Sequence, residues 1–259
     1  MSWASRRRTT YLTGIVLFIL IVFGGPITYH FLTVLPTCHE GIRNHGETAV
    51  DKGGPCLTLD PAALQPASIL WARSFHVRDG SYSAVAYIEN PNEGAGVMQS
   101  RYHFGLYDSA NVLVADVNGT TFIMPGGITP VFAGGIATGN RIVAHTYLEL
   151  SAPLVWTRAK NAAAPISVSN KQVSEAAPPT VSADVENTSV VDIVSPSFSA
   201  VVFDTQGNAI AASSTVLPRL VAGETAHITF TWPDTFSSQV GRVDIIPEVI
   251  PVADPSGER

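Results

Sequence analysis

The chain has 259 residues, with 15 Lys and Arg against 21 Asp and Glu, a net charge of −6, and only 14% charged residues. That length allows one or two domains. Arg6, Arg7 and Arg8 precede the first apolar run, so the remainder holds 12 bases against 21 acids, and so acidic a surface excludes nucleic acid as a partner.

No Lys, Arg, Asp or Glu occurs from Thr9 to Cys38, and Tyr11 to Phe23 is dense in Leu, Ile, Val and Phe. Residues 11–35, ending before Pro36, are predicted to form a transmembrane helix. At about 1.5 Å per residue the segment reaches roughly 37 Å, enough to cross a bilayer with some tilt. The arginines on its N-terminal flank keep residues 1–10 in the cytoplasm and place the C-terminal bulk outside it, at the cell membrane. A cleaved signal peptide is the rival reading, although Val22-Phe23-Gly24 with Pro26 close behind makes a poor cleavage site.

Residues 36–57 form a loop bracketed by Cys38 and Cys56, the two cysteines of the chain. Export permits a disulfide between them. Glu40, Asn44, Glu47 and Asp51 offer side-chain oxygens among glycines that allow tight turns. Two readings stand: a calcium site built on those four residues, or a hydrogen-bonded turn clipped by the disulfide. The order Cys38, Gly41, Asn44, Glu47, Asp51, Gly53, Gly54, Cys56 resembles the motif C-x-D-G-x-x-N-x-x-E-x-x-x-D-C-G-G-x-C of exported bacterial proteins, with Glu40 and Lys52 departing from it. His39, Glu40 and His45 have the wrong spacing for a zinc-protease helix.

Beyond residue 57, turn residues separate short apolar or alternating runs, such as Ser83 to Glu89, Tyr102 to Tyr107 and Asn111 to Val117, which predict strands. A repeat is present. Ile69 to Asn92 aligns with Ile166 to Ser189 at an interval of 97 residues, and after one dropped residue Leu106-Tyr107-Asp108 aligns with Val202-Phe203-Asp204. That interval suits one immunoglobulin-sized sandwich per repeat. The predicted fold is therefore all-β: two tandem Ig-like β-sandwich modules, residues 66–157 and 166–250, following one N-terminal transmembrane helix. The Ala-rich stretch from Ala159 to Pro165 is expected to allow modest bending, and residues 251–259 are expected to be a disordered tail.

Phe104-Gly105-Leu106-Tyr107-Asp108, with Ile88-Glu89-Asn90-Pro91-Asn92 before it, resembles the signature of FxLYD-type domains, small Ig-like sandwiches of exported prokaryotic proteins. Ala200 to Asp204 and Val185 to Ser189 are a weaker copy. The whole arrangement resembles uncharacterised single-pass membrane proteins of candidate bacterial lineages. The resemblance implies a fold and an exported location, and no activity.

No nucleophile elbow, P-loop or dinucleotide fingerprint occurs. His76, His103, His145 and His227 are scattered through predicted strands, and Trp71, Trp156 and Trp232 read as core or strand-edge aromatics. Asp184, Glu186, Asp192 and Asp204 lack dense calcium-loop spacing. The expected protein is no enzyme and needs no cofactor other than the calcium considered above. It is a membrane-anchored structural or interaction protein displaying its modules for adhesion, envelope assembly or binding of a protein or glycan partner. The alternative is an extracytoplasmic ligand-binding or sensor subunit of a membrane complex.

Overall fold

The computed structural model describes residues 3–26, 38–44 and 46–254. Helix α1 (Trp3–Ile19) continues into a π-helical turn, Leu20–Gly24. Its apolar side chains from Tyr11 to Phe23 are 43–68% exposed, so nothing else in the described chain packs on them. Among the described residues no helix is long and apolar enough to cross a membrane. Residues 27–35 of the expected span lie outside the described residues.

The rest is mostly β-structure, all antiparallel. The first half holds β1 (Ser68–Arg78), β2 (Ser81–Asn90), β3 (Ala95–Tyr107), β4 (Leu113–Ile123), β5 (Gly127–Ala137), β6 (His145–Leu150) and β7 (Trp156–Lys160). The second holds β8 (Ile166–Ser174), β9 (Thr180–Asn187), β10 (Ile193–Val194), β11 (Ser197–Asp204), β12 (Ala209–Val216), β13 (Arg219–Leu220), β14 (Thr225–Thr231) and β15 (Val240–Glu248), with β16 (Val252–Ala253) after it. Strands β1-β2-β5 form one sheet and β16-β7-β3-β4 a second, with β6 also on β3. Strands β12-β11-β15 and β14-β9-β8 repeat the plan, and β10 pairs with β13. The register repeats as well: Val85 opposite Phe132 recurs as Ser182 opposite Thr229, and Gly105 opposite Asp116 as Val201 opposite Ala212.

Alternation along the strands sends one set of side chains between the sheets of each half. Ala84, Ala86 and Ile88 meet Phe104, Leu106, Ile123 and Trp156 in the first core. Val181, Ala183 and Val185 meet Phe198, Ala200, Val202 and Phe230 in the second. A third core joins the halves. Val85 and Tyr87 of β2, with Trp71, Phe75 and Phe132 beside them, pack on Val201 and Phe203 of β11, Ala209 and Ala212 of β12, and Ile246 of β15. The β1-β2-β5 sheet thus lies against the β12-β11-β15 sheet, and four sheets stack in one body. The Ala-rich stretch between the halves was expected to limit them to modest relative bending; large side chains from both also close the joint. Trp71 lies 4.5 Å from Tyr87 and meets Phe203 edge-on at 6.2 Å.

The expected disordered tail also differs at its start. Val252 and Ala253 pair with Lys160 and Ala159, and the Asp254 carboxylate lies 3.2 Å from Lys160 Nζ. Residues 255–259 lie outside the described residues. The segment from Val252 to Asp254 therefore returns to the first half and ties the two together a second time.

Candidate functional site

Two places concentrate polar groups: the cysteine-bracketed loop and a cleft where the halves meet. In the loop, Cys38 and Cys56 form a disulfide with their Cα atoms 5.5 Å apart. Positive φ at Gly41, Gly53 and Gly54 turns the backbone, and a Cβ on Gly54 would sit 2.6 Å from Gly46 O, so only glycine fits there. The loop docks on β7. Leu59 N donates to Trp156 O, Arg158 N donates to Leu57 O, and Arg158 Nη2 donates to Gly54 O.

The four predicted calcium ligands share this loop, and each is engaged within it. Gly41 N donates to both Asp51 oxygens, at 3.1 and 3.0 Å. Glu47 Oε2 accepts from Asn44 N and Asp51 N, each at 3.3 Å. Asn44 Nδ2 donates to Glu40 Oε1. Buried Glu47 also sets Oε1 3.2 Å from Cys56 Sγ, a disulfide sulfur with no proton to donate. Among the described residues, Cys38, Glu47 and Cys56 are the one group of three metal-capable side chains within mutual reach, and the sulfur–sulfur bond removes two of them as thiolate ligands. His45 lies outside the described residues.

The other acids go to separate partners. Asp184 accepts from Asn170 Nδ2 and sits 2.8 Å from His227 Nδ1; these two contacts, the first the stronger, hold its carboxyl below the ordinary range. Asp192 accepts from Ala222 N and Arg219, and both lower it. Asp204 caps its own turn through Gln206 N and Asn208 N, as Asp108 does through Ala110 N and Val112 N. The following position is left-handed in both turns, at Asn111 and Gly207. Asn90 and Asn187 are likewise a structural pair. Each is buried and donates from Nδ2 to two carbonyls: Ala95 and Met124 in the first half, Val191 and Leu220 in the second.

The cleft, about 640 Å³, opens between β1, the strand β6 beside it, β12 and the loop after β14. Phe75, Trp232 and Phe236 supply apolar walls, and His76, His145 and Asp234 polar ones. Ser74 and Thr146 hydrogen-bond across the β1–β6 edge at 2.9 Å. Trp232 Nε1 donates to Ala212 O, and its ring meets Phe236 at 5.2 Å. Ser83 borders the cleft with a buried Oγ that has no hydrogen-bond partner among the described residues. Sequence reasoning had no means to find this site, since it joins strands more than a hundred residues apart. Trp71 and Trp156 belong to packed cores, as their strand positions imply. His103 lies on an outer face, 3.6 Å from Asp116 and 4.0 Å from Glu149.

No family model matches the sequence, and no curated protein matches it. Among solved structures, the chain is similar to a Bacteroides uniformis β-glucuronidase at 16% identity and a TM-score of 0.20, covering 61% of this chain and 22% of that one. A Bacteroides fragilis protein described as a putative β-galactosidase matches at 11% identity and a TM-score of 0.18, covering 66% of this chain and 32% of that one. The chain therefore spans about a fifth to a third of the length of these structures, and overlaps of this kind carry no argument about activity.

Proposed function

We propose that this chain is a membrane-anchored, extracytoplasmic structural or interaction protein that presents two Ig-like modules, the first of FxLYD type, as one stiff body for adhesion, envelope assembly or partner binding. The observation that carries the reading is the third core. With Val85, Tyr87, Val201 and Phe203 packed face to face, the modules hold a fixed relative geometry, which suits a displayed platform. The disulfide-clipped loop docked on β7 extends that stiffness to the segment from Cys38 onward. The exposed apolar side chains of Tyr11 to Phe23, with Arg6 to Arg8 before them, support the anchor and its orientation. The Glu40, Asn44, Glu47 and Asp51 set is read as the wiring of the clip, since calcium would have to displace the bonds those groups make.

The test has two arms on the full chain in its own membrane. A C-terminal tag is expected to be cleaved by protease added to intact cells, and resistance until lysis sinks the anchored, exported reading. Capture from envelope extract is expected to recover a protein or glycan, and a bare bait across salt and calcium conditions sinks the interaction reading. A second reading, ligand binding, is favoured by the cleft at Phe75, His76, His145 and Trp232. A ligand seated there would alter Trp232 emission; an unchanged spectrum with envelope sugars and peptides removes that reading.

A further inference from the structure

The two modules treat one sheet edge differently. In the first, β7 completes the sheet beside the start of β3, with Ala95 opposite Arg158, Gly96 opposite Thr157 and Val97 opposite Trp156. The repeat places Val191, Asp192 and Ile193 at these positions, because Val97 opposite Ile123 recurs as Ile193 opposite Leu220. In the second module the strand that would complete the edge is absent among the described residues. β15 leaves β11 after Glu248, opposite Ser197, and the chain then crosses to pair Val252 and Ala253 with β7 of the first module.

Exposure follows the missing strand. Ala95 is 2% exposed and its counterpart Val191 63%, while Val97 and its counterpart Ile193 both point into their cores; on either side of Ile193 the rim is open, with Val194 71% exposed and Val190, at the loop tip, 95%. Asn187 holds Val191 O from one side and β13 pairs β10 on that same side, which fixes the open edge in an extended form. A short strand edge rimmed by valines is a template for another strand.

We propose that the Val190–Val194 edge of the second module is a binding site for an extended peptide segment of a partner protein, which adds a strand where β7 lies in the first. This deepens the interaction reading and rests on it. The first module supplies the chemistry of the occupant. It runs antiparallel to β10, carries a large apolar residue opposite Ile193, as Trp156 lies opposite Val97, and bears a base nearby, as β7 bears Arg158 and Lys160. A basic strand also suits the chain's net charge of −6. A second copy of this edge fits worse, because symmetric pairing centred on Asp192 sets Val191 opposite Ile193, where the first module carries a tryptophan opposite Val97.

The probe is the heptapeptide Leu-Val-Trp-Thr-Arg-Ala-Lys, the sequence of residues 154–160, added to the full chain in detergent micelles. Amide hydrogen exchange at Asp192 and Val194, whose amides face away from β13, is expected to slow at least about tenfold on saturation, as for amides entering a sheet. The same peptide N-methylated at alternate backbone nitrogens is expected not to bind, and Val194→Asp to weaken binding about tenfold or more by placing a charge on the apolar rim. Three results each overturn the proposal: unchanged exchange at millimolar peptide, equal binding of the N-methylated peptide, or protection of Val191 to Val194 matching Ala95 to Val97 before any peptide is added. Envelope capture through another surface would survive any of these, so the site and the broader interaction reading fail separately.

Discussion

The surfaces that meet at the joint between the halves have exact counterparts at the two free ends of the stack, and their chemistry is opposite. The halves pack front to back: the outer face of β1-β2-β5 meets the outer face of β12-β11-β15. Val85, Tyr87 and Phe132 on the first of these faces correspond to Ser182, Asp184 and Thr229 on the exposed β8-β9-β14 face. Val201, Phe203, Ala212 and Ile246 on the second correspond to Gly105, Tyr107, Asp116 and Glu149 on the exposed β4-β3-β6 face. A front-to-back contact between two like units does not close, and left apolar at its ends it would propagate into a filament. The corresponding end positions carry polar groups, including the His227–Asp184 pair and His103 between Asp116 and Glu149. One repeat unit thus serves two ends through a handful of substitutions that leave its register unchanged.

The most severe way to break this contrast is Val201→Asp. Val201 is fully buried in the joint, and an unpaired carboxylate there is expected to cost about 4 kcal/mol or more. Thermal unfolding should show a large drop in Tm, or two separate transitions as the halves part. Thr229→Asp on the exposed β8-β9-β14 face, the counterpart of the joint's Phe132, is the control: a smaller loss there is expected, and an equal one would refute the assignment of Val201 to a joint.

Much of this contrast was legible in the sequence, though only as a pattern. Ala84 to Ile88 and Ala200 to Phe203 are unbroken apolar runs, the mark of a strand buried on both faces, whereas Thr180 to Asn187 alternates strictly. The local devices were readable for the same reason. The Asp108 and Asp204 turns and the strand-end Asn90 and Asn187 depend on neighbours a few residues away. The disulfide was readable because the chain has two cysteines. The joint itself, the cleft and the return of β16 depend on which surfaces meet after folding, and no short-range pattern encodes that. The loop residues 40, 44, 47 and 51 show the converse limit. Their spacing predicted that they would gather, but oxygen-bearing side chains that suit a cation suit backbone N–H groups equally well, and here Gly41, Asn44 and Asp51 supply those.

A sharper probe uses the asparagine pair. Alanine at Asn90 takes the side-chain donor from the Ala95 and Met124 carbonyls, and alanine at Asn187 takes it from Leu220 O and leaves Val191 O to Ser189 Oγ; each change is expected to cost about 2 kcal/mol in denaturant unfolding. The global losses should be similar, and the local consequences different. After Asn90→Ala, β7 still pairs Ala95 to Val97, so exchange there should change little. After Asn187→Ala, Val191 O loses one of its two donors and the other, Ser189 Oγ, loses its bond to Asn187 Oδ1, so the amides from Val190 to Val194 should exchange faster. Equal acceleration in both halves would show that β7 does not protect the first edge, and the contrast between the two edges would go with it.

The smallest expected effect concerns a charge on the joint's rim. Glu248 extends from β15 on the face that meets the first half, where Ser199 donates to its Oε1, with Asp244 and Arg242 along the same strand and Tyr87 facing from β2. Burial pushes its carboxyl up to about 7, and the Ser199 bond offsets only part of that rise. Burial, with the Asp244 and Glu248 charges, also raises the Tyr87 phenol, so that group stays neutral throughout. The folded chain therefore keeps a proton on Glu248 that the unfolded chain releases near 4.5, and stability attributable to this residue falls as pH rises from about 4.5 to about 7. Glu248→Gln removes that fall. Because the side chain keeps a solvent-facing edge, the gain at pH 8 is expected to be about 1–2 kcal/mol, shrinking toward zero near pH 4. Urea unfolding of both proteins from pH 4 to 8 measures it, and parallel profiles would mean that the Glu248 carboxylate reaches water at the joint's edge instead of being enclosed by it.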